Sequence, residues 1–305
     1  MTPCSRSAPP HGATGTPAPS ATSAAGLVLI QITSLQLGSA VAKDLFGRAG
    51  PTGLAALRIT WAALVLCALV RPRLRGLTTR QLTTALGLGL VVAAMNLTYF
   101  HAIARIPIGV ASSLELLGPL GLSLVVSRRP TDLLWAGLSA IGLALLAVPR
   151  SELDVVGLVF GAIAGLLRAG YVLLNQRVGV LFIDWSGLAL AMTAGAVVLV
   201  PLAAITSGEQ LTHIDVLIRG LGVAILSSLV PYSLDMLTLR RITPRLFGIL
   251  LSASPAVAAM VGYAVLDESL TTNQLLAIGL ITAANIAAVR SHRRATARPV
   301  DHQPG

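Results

Sequence analysis

Stretches of about twenty mostly apolar residues, the length that crosses a bilayer as a helix, follow one another almost without pause from residue 26 to residue 290. We read spans at 26–46, 51–70, 81–103, 107–127, 132–149, 155–175, 185–206, 214–238, 243–265 and 271–290. Only helices and closed barrels satisfy their backbone polar groups in hydrocarbon, and runs of this length specify helices. Charge is scarce enough to agree. Charged residues make up 11% of the chain and the mean hydropathy is +0.80, against roughly 25% charged in a soluble domain. The expected fold is an all-α integral membrane protein of ten transmembrane helices. Residues 1–24, rich in Ser, Thr, Ala, Pro and Gly, read as a disordered tail rather than a signal peptide. Residues 291–305 read as a basic cytoplasmic tail.

Arginine placement sets the orientation. With the N-terminus inside, the inner loops and tails hold 15 arginines and the outer loops only Arg48, Arg105, Arg150 and Arg219. That asymmetry predicts N-in and C-in, which needs an even number of spans. It also accounts for the net charge of +10 without nucleic acid as a partner. The Arg and Ala bias points to a bacterial chain, hence to the inner membrane.

The two halves of the chain look related. Residues 108–127 align with 244–263, bringing Pro119 over Pro255, and SAIGLAL at 139–145 matches LAIGLIT at 276–282. Five spans per half is odd, so the second copy, 151–290, inserts upside down relative to the first, 25–150. Inverted repeats suit alternating access around a midplane site.

Ionisable groups inside hydrocarbon are costly, and each is a candidate for function. Glu115 sits near the middle of the fourth span, with Ser112 and Pro119 on its face. It is able to take a proton or a substrate ammonium; as a structural group it would pair with Arg58 or Arg168. Ser228, Pro231, Tyr232 and Asp235 form one stripe on the eighth span, although Asp235 is also placed to pair with Arg240 or Arg241. Asn96 and Tyr99 are spaced to hydrogen-bond a ligand or a neighbouring helix. Lys43 and Arg58 lie nearer the outer ends of their spans, either to hold a substrate carboxylate or to snorkel to the interface. Pro119, Pro231 and Pro255 are expected kinks. No HExxH, GxSxG, Walker or CxxC pattern occurs, so neither an enzyme nor a metal site is expected, and no cofactor. The partners expected are a small-molecule substrate, protons and lipid; a homodimer is admissible.

The blocks SLQLGSAVAKDLF, GLAALRI, SLELLGPL, SRRPTDLLW, AILSSLVPYSLDMLTLRRI, FGILLSASPAVAA and DESLT together resemble the threonine/homoserine exporters. Those belong to the EamA branch of the drug/metabolite transporter superfamily. The resemblance runs from about residue 26 to 290 and implies two inverted five-helix repeats with proton-coupled efflux of small amino acids. An EamA-type carrier of another metabolite or a drug is the alternative. On this resemblance Glu115 would hold proton or ammonium in turn. Arg58, Lys43 or Arg168 would hold the substrate carboxylate, and Asn96, Tyr99, Ser112 and Tyr232 a side-chain hydroxyl. Two positions depart from the family pattern: Ser254 stands where a Glu usually precedes the proline, and Arg168 where an aromatic is common. Both favour a cargo more negative than threonine.

Overall fold

A computed structural model of the chain describes residues 21–73, 75–126, 134, 137–138, 141–142, 145, 154–239 and 251–296. Among them there are helices and no strand. In chain order they are α1 (Ala21–Asp44), α2 (Phe46–Val70), α3 (Thr79–Ile103), α4 (Ile108–Val126), α5 (Val155–Leu181) and α6 (Ser186–Ser207). After a 3₁₀ turn at Gly208–Thr212 come α7 (Ile214–Ala224), a π-helical turn at Ile225–Leu229, α8 (Val230–Leu239), α9 (Ser254–Leu266) and α10 (Thr272–Thr296).

Among the described residues six stretches are long and apolar enough to cross a bilayer: Gly26–Asp44, Phe46–Val70, Thr79–Ile103, Val155–Leu181, Ser186–Thr212 and Ile214–Leu234. The expected span 132–149 and the first part of the expected span 243–265 fall largely outside the described residues, as do the tail residues 1–20 and 297–305. Large apolar side chains point outward along these helices: Leu69 is 76% exposed, Leu166 73% and Val197 68%. In water such a surface would be untenable; in lipid tails it is the solvated face.

Local signals place some helix ends. Thr78 and Gln81 form a reciprocal capping box at the start of α3, and Asp154 caps α5 through Val156 N at 2.8 Å. In α2 the regular helix begins at Pro51, because Gly50 adopts φ 68°, a left-handed conformation that glycine takes without strain. Pro255 proves to start a helix instead of bending one. A turn at Ser252 and Ala253 precedes α9, with Pro255 in its first turn, where a missing N–H costs nothing. At the other terminus α10 runs to Thr296, carrying the helix into the expected basic tail.

Small residues let the helices cross closely. A Cβ on Gly118 would lie 1.6 Å from the Gly165 carbonyl oxygen, and one on Gly165 would lie 2.5 Å from Leu114 O. Helices α4 and α5 therefore touch backbone to backbone. A Cβ on Gly89 would similarly meet Ala191 O at 2.3 Å, where α3 crosses α6. At one end of the bundle, ion pairs join Arg48 to Asp215 at 2.7 Å, Arg105 to Asp154 at 3.5 Å and Lys43 to Glu268 at 2.7 Å. All six residues belong to the end that the arginine count assigns to the outside.

Candidate functional site

The α4–α5 crossing fixes the centre of the molecule. Glu115 stands one turn before Gly118, and Arg168 one turn after Gly165. With no side chain between the two backbones, Arg168 Nη1 reaches Glu115 Oε1 at 2.9 Å. Their side chains are 18% and 14% exposed, and the guanidinium also lies over the Tyr171 ring at 5.7 Å. Both readings of Glu115 meet here: it is ion-paired, and it also faces a cavity.

That cavity is lined by Gln31, Leu35, Arg58, Met95, Asn96, Tyr99, Glu115, Arg168, Tyr171, Ser227, Pro231 and Tyr232, and is narrow, with a free volume of about 30 Å³. The structure thus gathers six expected residues, Arg58, Asn96, Tyr99, Glu115, Arg168 and Tyr232, from α2, α3, α4, α5 and α8. Asn96 donates its amide to Val92 O one turn back at 2.8 Å. Tyr232 and Tyr171 face each other with ring centroids 6.4 Å apart.

Arg58 is buried in the wall of this cavity, 4% exposed. Its Nε donates to Ser228 Oγ at 2.8 Å, an Nη donates to Ser227 O, and its guanidinium sits 5.6 Å from the Phe100 centroid. The seat is made by an irregular backbone. Pro231 has no N–H to offer the Ser227 carbonyl four residues before it, so that oxygen is left for Arg58. The adjoining π turn shifts Val230 N–H onto Ile225 O, and the displaced Leu226 O accepts from Ser34 Oγ at 2.7 Å. Gly38 allows α1 to press against this turn, since a Cβ there would lie 2.7 Å from Ser227 Cβ. No carboxylate pairs with Arg58 among the described residues.

Two expected site residues are placed elsewhere. Ser112 does not line the cavity. It forms a buried node with Gln36 and Ser254: Gln36 Nε2 donates to Ser254 Oγ at 2.9 Å and to Ser112 Oγ at 3.3 Å, joining α1, α4 and α9. Lys43 also lies outside the cavity, and it does not snorkel either. It donates to Glu268 Oε1 at 2.7 Å and to Ile106 O at 3.1 Å. The other Glu268 oxygen accepts from Ile108 N at 3.0 Å, capping the first amide of α4. The carboxylate fits because Gly262 has no side chain: a Cβ there would lie 2.4 Å from Glu268 Oε2. The side chains of Asp235 and Pro119 lie outside the described residues.

Several site residues had escaped the sequence reading. Gln31, Ser34 and Gly38 share one face of α1 at helical spacing, and two glutamines inside an apolar span were a signal by their desolvation cost alone. Tyr171 gave no signal, being an ordinary aromatic in an apolar helix.

Comparison with known proteins adds independent findings. The EamA-like transporter family model matches residues 155–289. The threonine/homoserine exporter RhtA of Escherichia coli strain K12 is 37% identical over 271 residues, 88% of this chain and 92% of that protein. RhtA of Salmonella typhimurium strain SL1344 is 36% identical over the same shares. The uncharacterized inner membrane transporter YedA of Escherichia coli strain K12 is 27% identical over 76% of each chain. A solved crystal structure superposes with a TM-score of 0.57 at 20% identity, over 88% of this chain and 98% of that one, a likeness of fold.

Proposed function

Because this chain belongs to the EamA-like transporter family, and so is a multi-pass inner-membrane transporter and not an enzyme, we propose that it exports small amino acids in exchange for protons. The same reading gives it ten spans in two inverted five-helix repeats, 25–150 and 151–290, with both termini inside. Alternating access would then expose the central cavity to each side in turn.

The observation that carries the proposal is the pairing state of the cavity's charges. Glu115 is held by Arg168, while the hydrogen bonds that seat the buried Arg58 go to the neutral oxygens Ser228 Oγ and Ser227 O. A buried cation with no carboxylate in contact is expensive. An incoming carboxylate relieves that cost, so Arg58 is the seat for the α-carboxylate of the cargo. Its ammonium goes to Glu115, displacing Arg168 in part. Asn96, Tyr99 and Tyr232 supply neutral hydrogen-bonding groups for a side-chain hydroxyl.

Coupling follows from competition. The Glu115 carboxylate has three claimants: the Arg168 guanidinium, the cargo ammonium and a proton. A proton bound from outside displaces the cargo, and loss of that proton inside restores the seat. If one proton enters for each neutral zwitterion that leaves, one charge moves per turnover. A potential of 100 mV then contributes about 2.3 kcal/mol.

The test is uptake of labelled threonine and homoserine into inside-out vesicles, with and without an imposed proton gradient, for native protein and Glu115→Gln. Gradient-driven uptake that the substitution abolishes supports the proposal. Absence of uptake of either solute by the native protein, in vesicles shown to contain it, overturns the amino-acid assignment and leaves the transporter fold.

A further inference from the structure

Resting on the amino-acid reading above, we infer that Gln31 is a cargo-binding residue. Its side-chain amide takes a hydroxyl on the cargo's side chain, and so discriminates against an apolar amino acid of the same shape. Gln31 lines the central cavity and is 2% exposed, and its Oε1 is buried without a hydrogen-bond partner. Among the described residues that line the cavity, no other side chain has a buried polar atom in that state.

An acceptor taken out of water and left unpaired is costly, and a methionine would fill the same space without that cost. Neighbouring polar groups on α1 are spent within the protein. Ser34 Oγ donates to Leu226 O at 2.7 Å and Ser39 Oγ to Leu35 O at 3.0 Å. Gln36 Oε1 is unpaired as well, but its amide is tied to Ser112 and Ser254 away from the cavity. The Ser34 bond fixes α1 against the π turn that seats Arg58, and Leu35, one turn after Gln31, lines the same cavity. Gln31 is therefore held in the wall of the site, with one end of its amide unserved.

The cargo's charged groups have stronger partners. Its carboxylate meets Arg58, and its ammonium is held better by the Glu115 carboxylate than by a neutral amide. What remains for Gln31 is the cargo's side chain. A hydroxyl suits it, since it donates to Oε1 while its own oxygen accepts from a group such as the Tyr232 hydroxyl. An apolar side chain of equal size leaves Oε1 unpaired. With a free volume of about 30 Å³, the cavity must widen to admit cargo, and a site that tight leaves little room for water to serve Oε1 instead. The penalty falls on the apolar cargo.

Threonine and valine are nearly isosteric, with a hydroxyl in one where the other has a methyl, which makes them the decisive pair. Uptake of each, labelled, is measured in inside-out vesicles carrying native protein or Q31M. For the native protein, threonine uptake is expected to exceed valine uptake by about tenfold or more, the cost of one buried acceptor left unpaired. Q31M keeps the length of the side chain and loses the amide, and is expected to bring the ratio to about unity. The same comparison is read as binding, from the rise in unfolding temperature that each amino acid gives the detergent-solubilised protein, so a Q31M that binds without transporting is still informative. Q31L takes its place if Q31M does not accumulate. Native protein that moves threonine and valine alike overturns this inference and leaves amino-acid export standing. A threonine preference undiminished in the variant overturns the role of Gln31. If the native protein moves no amino acid at all, export and preference fail together.

Discussion

Arg168 reaches Glu115 across the crossing where α4 and α5 run backbone against backbone, at Gly118 and Gly165. The ion pair and the glycine crossing are one device. The crossing sets the distance between the helix axes, and that distance lets a 2.9 Å contact form one turn away on each helix. Perturbing either half disturbs the other.

Removing one partner breaks this ion pair in a low-dielectric site. Glu115→Gln and Arg168→Leu are each expected to lower stability by about 3–5 kcal/mol, and the double variant E115Q/R168L by much less than their sum. Thermal unfolding in detergent, run as a double-mutant cycle, measures this. Additive losses would mean that the two side chains do not act as a pair.

Adding a methyl group at the crossing is a steric test that changes no charge. Gly118→Ala places a Cβ 1.6 Å from Gly165 O, and the helices must separate. The expected cost is about 1–3 kcal/mol or more, with loss of transport. Gly87→Ala, where a Cβ meets nothing within 4 Å, is the control and is expected to behave as native.

Lys43 and Glu268 tie the end of α1 to the start of α4 and the end of α9. In the alternating-access reading proposed above, opening the bundle at that end would require this tie to part. Lys43→Met is expected to speed opening there, read as faster labelling of a cysteine placed in the cavity. The charge swap K43E/E268K is expected to restore the wild-type rate only in part. A lysine at 268 regains the attraction but cannot accept the Ile108 amide.

How far the sequence reached depends on what kind of signal a residue leaves. Apolar runs gave the described spans closely, because bilayer thickness and helix rise allow little choice. Glu115 and Arg168 stood out through their cost in hydrocarbon, as did the polar pair Asn96 and Tyr99. Lys43 and Ser112 were legible as polar groups but not as to partner, since their partners Glu268, Gln36 and Ser254 are 225, 76 and 142 residues away. Pro255 was read as a kink because a proline announces a break in the ladder without saying which side of it is helix. The π turn left no composition signal at all.

Arg58 offers a further test of the cavity. Arg58→Lys keeps the charge but loses the fork that spans Ser228 Oγ and Ser227 O. The expected result is a KM for cargo raised about 10–100-fold with a smaller change in kcat, measured by concentration-dependent uptake. An unchanged KM would remove Arg58 from the carboxylate seat.

Pro231→Ala returns a donor to the Ser227 carbonyl and sets it in competition with Arg58. Weaker cargo binding with the protein still well folded is the expected outcome, checked by binding affinity alongside thermal unfolding.

The Ser227 carbonyl also bears on how such a site descends through generations. No substitution at position 227 can delete a main-chain oxygen, so drift there leaves that half of the arginine's seat in place. What a lineage must keep is the imino acid four positions on, whose contribution is a hydrogen it does not have. A comparison of descendants that scored only charged and hydroxylated positions would pass over the residue on which inheritance of the seat depends.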